Sequence, residues 1–162
     1  MLERTNFPLL DLYLSYDQWK EEHQALSIRL RELCMLVSWH PGNYDFTAWD
    51  DHHREVRKLF ITFMQDWQKH LYCEQQTIFP LARSAICGGA IGPVAVLEQD
   101  GSIAIQFYES YLQATADGAA SEEALRLLQQ VLMIINEHFR VEDENIVPVT
   151  DRLMEEIDYS GL

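Results

Sequence analysis

Two segments of the chain share a histidine at their first position, a glutamate at their fifth and a proline at their eleventh: His70–Pro80 and His138–Pro148. Histidine and glutamate four residues apart lie on one face of a helix. Two such faces that meet inside a helix bundle bring two imidazoles and two carboxylates to one point. This chemistry predicts a metal site, and the number of donor groups suits a pair of metal ions.

Apolar residues that alternate at spacings of four and three predict four long helices. The pattern covers residues 17–38, 49–86, 94–115 and 121–158, and residues 1–16 are expected to form an apolar arm lying on the bundle. A stripe of this spacing on four helices is the core seam of a helix bundle. No segment alternates as a β-strand does, so the sequence predicts an all-α protein of one domain, residues 1–162.

Glycine and proline separate the four helical segments. Turn residues occur at 39–43, 87–93 and 116–118. Pro80 and Pro148 are expected to kink or end their helices, because proline lacks an amide hydrogen and its ring clashes with the preceding turn.

Six polar residues fall within the otherwise apolar seams: His23, His70, Glu74, Asp100, His138 and Glu142. In the third helix the seam is expected at Val96, Asp100, Ile103 and Phe107. Burying unpaired charges costs several kcal/mol per ion, and a bound cation offsets this cost. Imidazole and carboxylate together suit iron, manganese or zinc, whereas calcium prefers oxygen alone. Two of the carboxylates can bridge two metals, with an oxide, hydroxide or water completing the bridge.

Each part of this pattern also has a simpler interpretation. A single His-x-x-x-Glu on a helix is commonly a surface ion pair, and a core histidine such as His23 is commonly just hydrogen-bonded. Asp100 precedes Gly101 and would serve as a helix cap if the third helix began late. Polar residues on the seams of all four helices favour metal binding over these separate interpretations.

The composition of the chain argues against several kinds of binding partner and against secretion. A formal net charge of −14 argues against nucleic acid or an anionic membrane as a partner. The cysteines, Cys34, Cys73 and Cys87, are too widely spaced for a disulfide framework or a thiolate zinc site. The N-terminus is a poor signal peptide, and no run is apolar enough to span a membrane. We therefore expect a cytoplasmic protein, either a monomer or a homodimer.

Residues 17–150 resemble the hemerythrin-like (HHE cation-binding) domain family through Glu22-His23 and the two His-x-x-x-Glu segments. The resemblance implies an up-down-up-down four-helix bundle around a non-heme di-iron centre. It implies His23, His70 and His138 as terminal ligands and Glu74 and Glu142 as bridging ligands. The family expects a histidine in the third helix, where this chain offers Asp100. The second helical segment, residues 49–86, also lacks the extra histidine of the oxygen-carrying hemerythrins.

The resemblance implies a protein that binds or reacts with dioxygen, nitric oxide or hydrogen peroxide, in sensing, storage or detoxification. Two alternatives stay open. One is an iron-handling protein similar to those that repair iron–sulfur clusters, which usually carry an extra domain with cysteines. The other is a metal-poor helical bundle that acts as an interaction module. If Asp100 is a ligand, its negative charge should favour the oxidised metal pair and lower its reduction potential.

Overall fold

The computed structural model describes residues 7–37, 46–85 and 92–159, and these residues are helical apart from the turn at 117–120. In chain order the elements are α1 (Phe7–Val37), α2 (Phe46–Cys73), a first π turn (Glu74–Ile78), α3 (Phe79–Ala85), α4 (Gly92–Ala116), α5 (Ser121–Val141), a second π turn (Glu142–Ile146) and α6 (Val147–Tyr159). Each π turn joins its flanking helices, so the described chain forms four long helical segments. The predicted all-α four-helix bundle is confirmed. Within the described ranges, no helix has both the length and the apolar character needed to cross a bilayer.

The segments pack side by side through their apolar faces. Helix α1 packs against α2 and α5, α4 packs mainly against α5, and α3 packs against α6. One core cluster fills the body of the bundle, including Phe60, Trp67 and Leu128. A second cluster surrounds the π-turn end and includes Trp19, Phe79 and Ile146. The buried polar residues that were predicted as metal ligands lie near the junction of these two clusters.

Helix α1 begins at Phe7, so residues 7–16 are helical rather than part of a separate arm. Tyr16, the last residue of the predicted arm, is only 2% exposed, and its hydroxyl donates a hydrogen bond to Asp151 Oδ1 of α6 at 2.6 Å. Helix α1 therefore contacts α6 at this position. The predicted turn at 39–43 and residues 87–91 of the turn predicted at 87–93 lie outside the described residues. Gly92 and Pro93, the last two residues of the second turn, instead begin α4.

The turn between α4 and α5 is confirmed. Gly118 has a φ of 74°, in the left-handed region that favours glycine. The amide of Ala119 donates to the carbonyl of Ala114 at 2.9 Å. This bond closes the end of α4 in the manner of a glycine helix cap and reverses the chain into α5.

The two π turns keep both prolines inside continuing helices, where a kink or an end was expected. Phe79 donates its amide hydrogen to the carbonyl of Glu74, five residues back, at the end of the first π turn. The wider turn gives the ring of Pro80 room beside the preceding carbonyls. The same bond joins Val147 to Glu142 before Pro148.

The extra residue in each π turn also rotates the core seam that follows it. A spacing of four and three that runs through the two His-x-x-x-Glu pairs predicts Thr77 and Asn145 as the next seam residues, but both are only half-buried. The buried positions are instead Ile78 and Ile146, both 0% exposed. The seam therefore shifts by one residue directly after each glutamate.

The buried face of α4 differs from the predicted seam. Its buried residues are Val94, Leu97, Gly101, Ala104, Tyr108 and Tyr111. Val96 is exposed, and Asp100, Ile103 and Phe107 are half-buried. The prediction was wrong by one residue, or about 100° around the helix. The buried Gly101 and Ala104 are small and give little hydrophobic signal in the sequence. The half-buried Ile103 and Phe107 give a strong hydrophobic signal.

Candidate metal centre

Five of the predicted ligands lie together between α1, α2, α5 and the two π turns. One ligand atom from each of His23, His70, Glu74 and Glu142 lies within 4.8 Å of the others. His138 completes the group, because its Nε2 lies 3.2 Å from Glu74 Oε2 and also contacts Glu142 Oε1. All five side chains are buried, with at most 5% exposure.

Several buried atoms of this group have no hydrogen-bond partner: His23 Nδ1, His70 Nε2, and both carboxylate oxygens of Glu142. They nevertheless approach one another closely. His23 Nδ1 lies 3.1 Å from Glu142 Oε2, and His70 Nε2 lies 3.2 Å from Glu74 Oε1. Buried polar atoms normally have partners, and an unmade bond costs about 1–3 kcal/mol. Donor atoms that converge without hydrogen-bond geometry are arranged as ligands around a cation, so this donor set fits a metal.

Carboxylates outside the group contact the far nitrogens of two histidines. His23 Nε2 lies 2.8 Å from Asp143 Oδ1, and His70 Nδ1 lies 3.3 Å from Glu22 Oε2. A carboxylate that accepts the imidazole N–H fixes the tautomer and leaves the other nitrogen free for a metal. His23 therefore presents Nδ1 to the centre, and His70 presents Nε2.

Trp19 covers the centre from α1. Its indole Nε1–H donates to Glu74 Oε1 at 3.2 Å. Its ring stacks on those of His23 and His70, with centroids 4.9 and 5.5 Å away. The indole thus holds one carboxylate oxygen in place and excludes water, since Trp19 is 1% exposed.

No role at the site was predicted from the sequence for Trp19, Glu22 or Asp143. Each stands one position or one helical turn from a predicted ligand. This proximity is a usable signal, because such residues share or flank the ligand face. It does not by itself show which of the neighbours turns inward.

Charge at the centre is balanced by protons when no metal is bound. Burial alone would lower the pKa of His138, but the carboxylates of Glu142 and Glu74 raise it to about 10. Burial alone would raise the pKa of Glu74, but His138 and His70 outweigh it and hold the pKa well below its usual range. Burial and repulsion by Glu74 raise the pKa of Glu142. At neutral pH a proton on His138 therefore takes the place that a metal cation would fill.

Asp100 is not brought into this group. It is half-buried on α4, and the converging atoms found among the described residues include none from that helix. Helix α4 instead buries Gly101, where an added Cβ would lie 3.2 Å from the side chain of Leu71. The assignment of Asp100 as a ligand stays an untested prediction, and its position outside the group leads us to expect that it does not bind metal.

Comparison with known proteins gives one match. The family model of the hemerythrin HHE cation-binding domain matches residues 14–150. No curated protein and no solved structure matches the chain. The matched range contains all five converging residues and both π turns.

Proposed function

This chain belongs to the hemerythrin HHE cation-binding domain family, and we propose that it is a non-heme di-iron protein that binds or reacts with dioxygen, nitric oxide or peroxide. The observation that carries the proposal is the convergence of buried, unpartnered donor atoms from His23, His70 and Glu142 beside Glu74. Such atoms are costly to bury unless a cation completes their coordination.

The contacts of the two glutamates support their assignment as bridging ligands. Glu74 contacts His70 and His138, and Glu142 contacts His23 and His138. Each carboxylate thus lies between two imidazoles, which we assign as terminal ligands. Iron bound here would supply a redox-active centre able to bind a small ligand. Manganese and zinc share the preference for these donors, so all three metals belong in the test.

Two features support access by a small ligand. A cavity of about 380 Å³ is lined by residues of α1 and α2, among them Trp19, Glu22, His70 and Cys73. It extends to a ligand histidine and is large enough for a diatomic molecule or peroxide. In addition, α4 brings no donor atom from its described residues into the group of converging atoms, and we infer that this leaves room at a bound metal for an external ligand. We also propose that the protein acts in the cytoplasm.

Elemental analysis after anaerobic reconstitution with ferrous iron tests this function. We expect two iron ions per chain, with weaker retention of manganese and zinc in competition. Glu142→Gln should lose the metal pair, because this side chain is proposed to contact both ions. Glu144→Gln is the matched control, since Glu144 lies on the same π turn but is exposed and pairs with Arg140.

One metal or fewer per wild-type chain would contradict the di-iron proposal. A colourless, metal-poor preparation from iron-replete cells would instead favour a helical interaction module. Equal metal loss in both glutamate variants would show that the π turn, rather than the Glu142 carboxylate, governs binding.

A further inference from the structure

Stacked aromatic rings lead from the metal centre toward the surface of the bundle. The ring of Trp19 is nearly parallel to those of His23 and His70, with interplanar angles of 22° and 11°. Trp19 also stacks on Tyr16, with centroids 6.1 Å apart and an angle of 18°. Trp19 touches the proposed bridging ligand Glu74 through its indole N–H. The rings therefore form a continuous contact path that ends at Tyr16.

The outer end of this path has a proton acceptor in place. The Tyr16 hydroxyl donates to Asp151 Oδ1 at 2.6 Å, and the Asp151 side chain is 43% exposed. Burial and the neighbouring carboxylate raise the pKa of Tyr16, so the phenol is protonated at neutral pH. The ammonium of Lys20 lies 4.7 Å from the ring centroid and disfavours positive charge on the ring. Oxidation of Tyr16 must therefore release its proton together with the electron.

We propose that Trp19 and Tyr16 form a one-electron relay that completes the reduction of peroxide when the metal pair has only one electron to give. This inference rests on the proposed function. Reduction of hydrogen peroxide breaks its O–O bond and yields two waters, consuming two electrons and two protons. A ferrous ion held by the proposed ligands would supply one electron and become ferric, and the two protons would come from solvent.

The second electron leaves Trp19, which then takes an electron from Tyr16. The Tyr16 hydroxyl passes its proton to Asp151 as its electron leaves, and a neutral tyrosyl radical is left. The relay moves the unpaired electron away from the metal ligands to a ring beside the surface carboxylate. A reductant in solution can then restore the phenol.

Electron paramagnetic resonance on the iron-loaded full chain tests the relay. Protein poised with one ferrous and one ferric ion per chain is mixed with one equivalent of hydrogen peroxide and frozen within milliseconds. Wild type is expected to give a tyrosyl radical. Tyr16→Phe should lose that signal and accumulate oxidised Trp19, detected by mass spectrometry. Fully ferrous protein should give much less radical, because it supplies both electrons from iron.

Tyr111→Phe is the matched control. Tyr111 is also a buried tyrosine, with its hydroxyl 2.9 Å from His53 Nε2, and it should leave the radical yield unchanged. It lies ten residues beyond Gly101 on α4, about 15 Å along the helix axis. Asp151→Asn keeps the size of the acceptor but cannot take a proton, so it should lower the tyrosyl yield.

Four outcomes would overturn the relay: an unchanged signal in Tyr16→Phe, an equal loss in Tyr111→Phe, an unchanged yield in Asp151→Asn, or no protein radical in wild type that holds two irons. Iron content measured on the same samples separates this inference from the function on which it rests. A chain that binds no iron overturns the proposed function and the relay together. Two bound irons without a radical overturn the relay alone.

Discussion

Helices α1 and α4 each pack against a ligand-bearing segment, but they contribute differently to the metal centre. Helix α1 brings His23 into the group of donors and adds Trp19 and Glu22 as hydrogen-bonding partners. Helix α4 buries Leu97 and Gly101 and brings no donor from its described residues into the group. The two His-x-x-x-Glu segments are therefore alike, whereas their partner helices differ. Helix α1 supplies a ligand and hydrogen-bonding partners, and no donor atom from the described part of α4 lies in the group.

The largest expected effect is on metal content, and it distinguishes α1 from α4. His23→Gln should lose at least one metal per chain, because it removes a buried donor atom. Asp100→Asn should keep both metals, because the half-buried Asp100 lies outside the donor group. Elemental analysis of both variants checks this. Loss of metal in Asp100→Asn with retention in His23→Gln would reverse the comparison and restore Asp100 as a ligand.

The next effect concerns the carboxylates that orient the histidines. Glu22→Ala and Asp143→Ala should each weaken metal binding by about 10–100-fold, the usual effect of losing such a partner. Glu144→Ala is the control, since it is exposed and pairs only with Arg140 among the described ion pairs. Competitive titration with a chelator measures the affinities. Three equal affinities would show that the histidines are held by packing alone.

Metal-free protein should lose stability as the pH rises. Against the effect of burial, Glu142 and Glu74 raise the pKa of His138 from 6.5 to about 10. A raised pKa in the folded state gives stability that is complete below pH 6.5 and is lost as the pH passes about 10. Calorimetry between pH 6 and pH 10 should therefore show a falling Tm. Metal-loaded protein should show a flatter profile, because the metal replaces the proton.

The lowered pKa of Glu74 acts in the opposite direction. Its contribution to the stability of the fold is present above the ordinary pKa of 4.5 and is lost as the pH falls toward the folded-state pKa.

His138→Gln should remove most of the fall in Tm with rising pH in the metal-free protein. A Tm that stays level or rises from pH 7 to pH 10 in metal-free wild type would contradict this account of the charge balance.

The smallest expected effect is at Gly101 on α4. An alanine Cβ would lie 3.2 Å from two methyl groups of Leu71, which can shift by a few tenths of an ångström. Replacing a helical glycine also gains up to about 1 kcal/mol of helix propensity. The two effects oppose each other, so Gly101→Ala should change the free energy of unfolding by less than about 1 kcal/mol. Denaturant unfolding, with exposed Ser102→Ala as control, measures it, and a loss above 3 kcal/mol would show that Leu71 cannot move.

Much of this architecture could be predicted because its signals are strong and local. Alternating spacings of four and three marked the helices, and histidine four residues before glutamate marked the ligand faces. The face of α4 could not be predicted, because Gly101 and Ala104 are buried without a hydrophobic signal. The π turns were also missed. Pro80 and Pro148 each follow a glutamate by six residues, and a wider turn accommodates them as well as a helix end would.

The inward direction of Glu22 and Asp143 was equally out of reach from sequence. Charged residues beside a ligand usually face solvent, and the Asp143 side chain is indeed 60% exposed. Only the packing of α1 against α5, which leads into the second π turn, brings its oxygen to His23. Their role thus depends on the contact between segments, which a single helix pattern does not encode.

Anomalous diffraction from crystals of the iron-loaded protein would locate the bound metal ions. We expect two iron peaks within the group formed by His23, His70, Glu74, His138 and Glu142, with the two glutamates between them. We also expect that no side chain of α4 coordinates either ion. A single peak, or iron bound outside this group, would contradict the di-iron centre.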